Sequence, residues 1–199
     1  APYNYTGTEN IAILPTNATD WVLVELYNAS DNSILEAQQA AMLLQDGTVM
    51  SANGDLTLTF EGILPNENYY IVVRHRNHLD VMSANTVTLP NANFDYYDFT
   101  ASMTQAMGNN QMATMANGTY AMAAGDFSGN GLITTVDFNT YTFQASAVNG
   151  YYTNDCDFDS HVTIADFNAF LKNFNNVGIV DRRYEFSVYI KHRKRSHKN

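Results

Sequence analysis

Over its first hundred residues the chain alternates apolar and polar positions with the two-residue period of half-buried strands. Leu56, Leu58 and Phe60 alternate with Thr57, Thr59 and Glu61. Tyr69, Ile71 and Val73 do the same within Tyr69–Arg76, and Val87 and Leu89 follow, stopped by Pro90. Trp21–Tyr27 is apolar on nearly every position, the pattern of a strand covered on both faces. Turn signals at Asn53-Gly54, Pro65-Asn66 and Pro90-Asn91 separate these runs at about ten-residue intervals, which predicts a β-sandwich over residues 1–100. One segment pulls two ways. Ile34–Gln45 is rich in Leu, Ala, Gln and Met and favours helix, yet Asp46-Gly47 ahead of Thr48-Val49-Met50 is a hairpin signal. The hairpin is preferred.

Beyond residue 100 the pattern changes. Met103, Met107, Met112 and Met115 lie among Asn, Gly, Ala and Thr, and 101–119 reads as a connector, followed by a short strand around Thr119–Ala123. Phe138, Tyr141, Ala145 and Val148 then recur at three- and four-residue steps, as do Phe167, Phe170, Leu171 and Phe174, with Gly178 just beyond. Two short helices are predicted in a module over 120–180. In the tail, 181–199, Tyr184, Phe186, Val188 and Ile190 alternate with polar neighbours, then Lys191-His192-Arg193-Lys194-Arg195 follows. That is a strand with no hairpin partner next to it, so it must pair with a distant sheet edge or with another molecule.

Composition narrows the class. Only 15% of the 199 residues are charged, while Asn, Thr, Tyr and Phe are plentiful, a profile that fits a secreted β-rich protein. One cysteine, Cys156, excludes an internal disulfide framework. There is no signal-peptide pattern and no apolar run able to span a membrane, so Ala1 is expected to be a processed or truncated N-terminus. The net charge of −10 hides an asymmetry: residues 1–180 carry three basic groups against eighteen acidic, whereas 181–199 carry seven against two. Opposite signs suggest that tail meets body, within one chain or between chains, and the acidic body argues against nucleic acid as a partner.

The acidic residues cluster with a register. Asp126, Ser128, Asn130, Thr134 and Asp137 occupy positions 1, 3, 5, 9 and 12 of one twelve-residue stretch. Asp155, Asp157, Asp159, Thr163 and Asp166 occupy the same positions of a second, which starts 29 residues later. Ca²⁺ takes six to eight oxygens, and loops of this spacing deliver them. Two calcium sites are expected, and calcium would serve as an extracellular staple in place of disulfides. Loop 2 has four carboxylates to loop 1's two, but it carries Ser160 where the sharp turn calls for glycine, as Gly131 provides in loop 1. Cys156, at position 2 of loop 2, is expected to point outward.

With Asp rather than Glu at position 12 in both loops, residues 120–176 resemble the duplicated EF-hand-type calcium repeats of dockerin modules, here following an immunoglobulin-like β-sandwich as in bacterial secreted and surface proteins. The resemblance implies ligation by the side chains named above, with the Leu132 and His161 carbonyls at position 7. It also implies attachment to a cohesin domain. The positions that recognise cohesins, Thr135-Val136 and Ile164-Ala165, do not repeat one another.

His75-Arg76-Asn77-His78-Leu79-Asp80 offers two imidazoles and a carboxylate, with His75 expected on a strand and His78 in the turn beyond; ordinary polar residues at a strand end are the commoner explanation. No nucleophile, phosphate loop or unexplained carboxylate pair appears, so no enzyme is expected. Sequons stand at Asn4, Asn17, Asn28 and Asn117. Three functions stay open. The first is an extracellular structural or adhesive subunit at a bacterial surface or matrix, joining copies head to tail into a filament by donating the strand Tyr184–Ile190. The second is a dockerin-type attachment module. The third is a glycan-binding sandwich using Tyr69, Tyr70, Tyr96 and Tyr97.

Overall fold

The computed structural model describes residues 5–89 and 96–179. The expected strand Tyr184–Ile190, its basic tail, and the sequon Asn4 lie outside the described residues. The fold is mainly β with two short helices.

Strand β1 (Ala18–Asn28) is the axis of a six-stranded antiparallel sheet in the order β3-β2-β1-β4-β5, with β6 (Val87–Leu89) also paired to β4. It pairs with β2 (Leu35–Leu44) on one side, Val22 opposite Ala41, and with β4 (Glu67–His75) on the other, Val24 opposite Val73. The propensity conflict resolves as a hairpin. Gly47 takes φ +87, Thr48 N–H donates to Asp46 Oδ1, and β3 (Val49–Met50) returns against Met42 and Leu43. An isolated helix there would bury little, whereas strand β2 covers β1 along its length. From β4 the chain turns through Arg76-Asn77 into β5 (His78–Met82), so His78 starts a strand and is not part of the turn.

The predicted strand Leu56–Phe60 is absent. Its alternation is real: Leu58 and Phe60 pack on Val22, Val24 and Ala41. Yet Leu56 is 67% exposed, and Gly54, Gly62 and Asn66 bend the backbone through positive φ on either side, so no ladder forms. One face of the sheet is thus covered by an extended strip where a second sheet was expected. The second sheet is a ribbon of two strands, β7 (Met112–Thr114) and β8 (Tyr120–Met122), packed with Val81 and Ala106. Strand β7 falls inside the expected connector, which also holds the 3-10 turn Met103–Gln105 and follows another, Phe99–Ala101, at its start.

Helices α1 (Thr135–Gln144) and α2 (Ile164–Lys172) follow the two acidic loops. Their aromatic rings interleave, with Tyr141 and Phe167 centroids 5.5 Å apart and Phe127 stacked on Phe170 at 6.0 Å. The cluster they form, with Ile133, Ala123 and Cys156, also includes Leu79 of the sheet.

Candidate metal centre

Each loop is built around two carboxylates. In loop 1, Asp126 accepts from the Asn130 and Gly131 amides at 3.0 and 2.8 Å, and Asp137 accepts from the Ser128 and Thr134 amides at 2.9 and 2.8 Å. In loop 2, Asp155 accepts from Ser160 N–H at 3.1 Å, while Asp166 accepts from Cys156 and Thr163 N–H, both at 2.8 Å. Positions 9 and 12 thereby also start the helices. Thr134 with Asp137, and Thr163 with Asp166, form reciprocal capping boxes, worth about 1 kcal/mol each.

The backbone repeats along with the side chains. Gly129 and Phe158 take φ +67 and +64, Gly131 and Ser160 take +80 and +71, and Ser146 and Asn175 take +71 and +72. Each pair is one repeat apart, and Ser160 is held in the left-handed conformation the sequence anticipated. The two units clasp each other. Ile133 of loop 1 exchanges backbone bonds with Asn175 and Asn176 beyond α2, while Val162 of loop 2 does so with Ser146 and Ala147 beyond α1.

Asp155, Asp157 and Asp159 bring one oxygen each to within 4.8 Å of one another. Asp155 is buried, and its Oδ1 has no hydrogen-bond partner. Burial raises the Asp155 carboxyl above its ordinary range, and the Asp166 charge adds to this. Burial likewise pushes Asp126 up to about 6, with Asp137 contributing. An oxygen-only donor set with a stranded carboxylate oxygen is the environment a hard cation satisfies. Ser128, Asn130, Leu132, Thr134, His161 and Thr163 are the remaining residues of the two expected sets. Among these, Asn130 Oδ1 accepts from Leu132 N–H at 2.9 Å, and His161 Nδ1 contacts the Asp159 carbonyl at 2.8 Å.

Cys156 does not point outward. It is 6% exposed among Leu79, Phe127, Ile133 and Phe170, and burial raises its thiol pKa far above the ordinary value. Its neighbours on either side, Asp155 and Asp157, belong to the acidic cluster instead.

The sequence reading missed two buried polar networks, one across strands β1, β4 and β5 and one tying the sheet to the segment before loop 2. Arg74 Nε donates to Glu25 at 2.6 Å, and its Nη1 donates to Asp80; the three residues are 5%, 1% and 4% exposed. Burial opposes its charge, but Asp80 and Glu25 hold the guanidinium firmly protonated. Burial pushes Asp80 up to about 7 despite Arg74, and Asp80 Oδ1 is left without a partner. In the second network, Asp20 receives Arg76 Nε at 2.8 Å, Tyr151 Oη at 2.7 Å and His75 Nε2 at 3.2 Å. Burial works against its charge, yet these partners hold Asp20 well below the usual carboxylate range. The signal was Glu25 inside an apolar strand, in a body with only three cations. The two imidazoles meet at 3.1 Å through their Nδ1 atoms, but Asp80 turns to Arg74, so the candidate His-His-Asp set, the less favoured reading of this segment, does not converge.

The tyrosines do not form a sugar platform. Tyr69 is buried with its hydroxyl on Leu64, Tyr70 packs on the core, and Tyr97 Oη donates to the Gln105 carbonyl; Tyr96 is exposed. Asn17 and Asn117 are exposed, while Asn28 Nδ2 is engaged by Glu36 at 2.8 Å. No helix among the described residues is long and apolar enough to cross a membrane.

No family model and no curated protein matches the sequence. Among solved structures, the chain is similar to an N-terminal interface mutant of a type II cohesin–X–dockerin complex from Acetivibrio cellulolyticus. The TM-score is 0.43 at 16% identity, over 82% of this chain and 85% of that one. It is also similar to a C-terminal interface mutant of the same complex, with TM-score 0.41 at 14% identity, over 85% and 93%.

Proposed function

We propose that this chain is a secreted, non-catalytic attachment module whose paired loops each hold a Ca²⁺ and whose helices receive a partner protein. The observation that carries it is the repeated loop: the same carboxylate-to-amide bonds, capping box and left-handed positions recur 29 residues apart. Bound calcium would neutralise the buried Asp126 and Asp155 and supply the missing partner of Asp155 Oδ1. Apolar residues left in water on the two helices support docking: Phe143 is 90% exposed, Ile164 66%, Leu171 55% and Val136 50%. A partner of cohesin type follows from the dockerin-like register of the loops.

Calorimetric titration of the chelated protein should give two calcium ions per chain, and Asp155→Ala should remove one. Capture by an immobilised cohesin domain should require calcium. A chain that takes up no calcium sinks the reading; calcium uptake without capture moves the partner to another protein class. Self-assembly by strand donation is the weaker alternative. Its donor, Tyr184–Ile190, lies outside the described residues. Among the described residues the outer edge of β2 is unpaired before Met42, but the strand is bulged near Glu36 and its Ala40 amide is already met by Tyr5 and Glu9. Filaments in electron micrographs that vanish on deleting 182–199 would reinstate it.

A further inference from the structure

The turn between β4 and β5 makes contacts that an ordinary hairpin turn does not. Asn77 sits at its tip with 0% exposure. Its side-chain Nδ2 donates to the backbone carbonyl of Asp155 at 2.6 Å, 78 residues away. Its own carbonyl accepts from Gly125 N–H at 2.9 Å. Asp155 is the first residue of loop 2, and Gly125 immediately precedes the first residue of loop 1. Next to it, Leu79 N–H donates to the Ala123 carbonyl at 2.8 Å, and His78 forms a β-bridge with Ala124. One turn of the sheet therefore holds the starting points of both loops.

The side chain is locked. A carbonyl only accepts, so the group facing Asp155 is the amide nitrogen, and Asn77 Oδ1 is left facing His78 Nδ1 at 2.7 Å. His78 is stacked on Phe158 of loop 2 at 5.8 Å, and His75, which Asp20 holds through its Nε2, meets the same ring edge-on at 5.5 Å. Gly178 packs against Leu79 and Asp80 while donating to the Gly131 carbonyl at 2.8 Å, which closes the loop-1 side of the clasp.

We infer that Asn77 is a positioning residue for the cation loops, and that closure of the β4–β5 turn and occupancy of the loops are one linked equilibrium. This rests on the calcium reading above. Linkage is reciprocal: whatever factor the closed turn contributes to calcium affinity, calcium contributes to closure of the turn. Partners that hold a ligand-bearing group from behind are worth about 10–100-fold in metal affinity. Loop 2 should feel the change more, because it is tied by the Asn77 side chain, whereas loop 1 is tied by the backbone that any residue at 77 keeps.

The test has two arms on the full chain, with Ca²⁺ as the probe. In the first, calorimetry on Asn77→Ala should still count two ions, with one site weakened at least about tenfold. Asp155→Ala, which abolishes loop 2, identifies which site that is. A general loss of stability would weaken both sites together, so selectivity for loop 2 separates positioning from bulk structure. In the second arm, hydrogen exchange on the unmodified chain should show the Leu79 and Gly125 amides slowing at least about tenfold on calcium saturation; it decides the matter if Asn77→Ala does not fold. The inference is overturned if the Asn77→Ala titration superimposes on the wild type. It is equally overturned if calcium slows loop amides and leaves Leu79 and Gly125 unchanged. Absence of calcium uptake by the unmodified chain overturns the cation reading and this inference together, and the wild-type titration alone tells the two failures apart.

Discussion

Replacing Arg74 with methionine keeps most of the side chain's length and apolar bulk but removes the cation shared by Glu25 and Asp80. Those carboxylates are 1% and 4% exposed, and Arg74 is the cation that bonds both. Tyr27 Oη, 3.0 Å from Glu25 Oε2, can still donate one bond, and among the described residues no other cation pairs with either carboxylate. Breaking a buried pair by removing one partner costs about 3–5 kcal/mol, and here two partners are stranded. A domain of this size has about 5–15 kcal/mol in total, so Arg74→Met should fold marginally at pH 7. The cost has a pH signature. Asp80 already has a raised pKa of about 7 with Arg74 present, so losing the cation raises it further. A carboxyl raised in the folded state binds more protons folded than unfolded. Its destabilising effect therefore grows as pH rises above the ordinary carboxylate range and is relieved as pH falls back toward it. Urea denaturation of wild type and Arg74→Met in saturating calcium, at pH 7 and pH 5, measures both effects. A loss near 3 kcal/mol or more at pH 7 that shrinks at pH 5 is expected. A loss below about 1 kcal/mol, or one independent of pH, refutes the claim that this network is buried and charge-paired.

Two further outcomes follow from the loops. Ser160 holds φ +71 where its repeat partner is Gly131; Ser160→Gly should stabilise the chain by about 1 kcal/mol and tighten loop 2, read as a higher thermal midpoint and a lower calcium dissociation constant. Cys156 is buried with its thiol pKa raised, chiefly by desolvation, so a disulfide reagent should leave it unlabelled in the calcium-loaded chain and label it fully in denaturant.

Much of this fold could be read from local pattern. Trp21–Tyr27, Tyr69–Arg76 and the Asp46-Gly47 hairpin carry their own period and turn chemistry, and the three- and four-residue steps of Phe138 and Tyr141 and of Phe167, Phe170 and Leu171 mark the two helices. The failures share a cause in distance. Leu58 and Phe60 have the alternation of a strand and the inward packing of one, but whether a partner strand lies beside them depends on chain far away. Cys156 was placed by its loop position, while its burial is decided by Leu79 arriving from the sheet. Asn77 reads as a turn residue of the commonest kind, and its role exists only because Asp155 is brought beside it. The carboxylates that bind the loop amides follow a twelve-residue register and are legible because that register is local; the braces behind them are not.

The clasp between the two units has a bearing on how the chain is made. Loop 1 is complete in sequence at Asp137, but its Ile133 pairs with Asn175 and Asn176, and Gly131 with Gly178. During synthesis from the N-terminus, loop 2 finds its partners, Ser146 and Ala147, already translated, whereas loop 1 waits for a segment made some forty residues later. The earlier loop is therefore the later one to close. A chain truncated near residue 170 would hold the described strands and both backbone partners of loop 2, but not Asn175, Asn176 or Gly178 to close loop 1. The final turn past α2 latches the whole module shut.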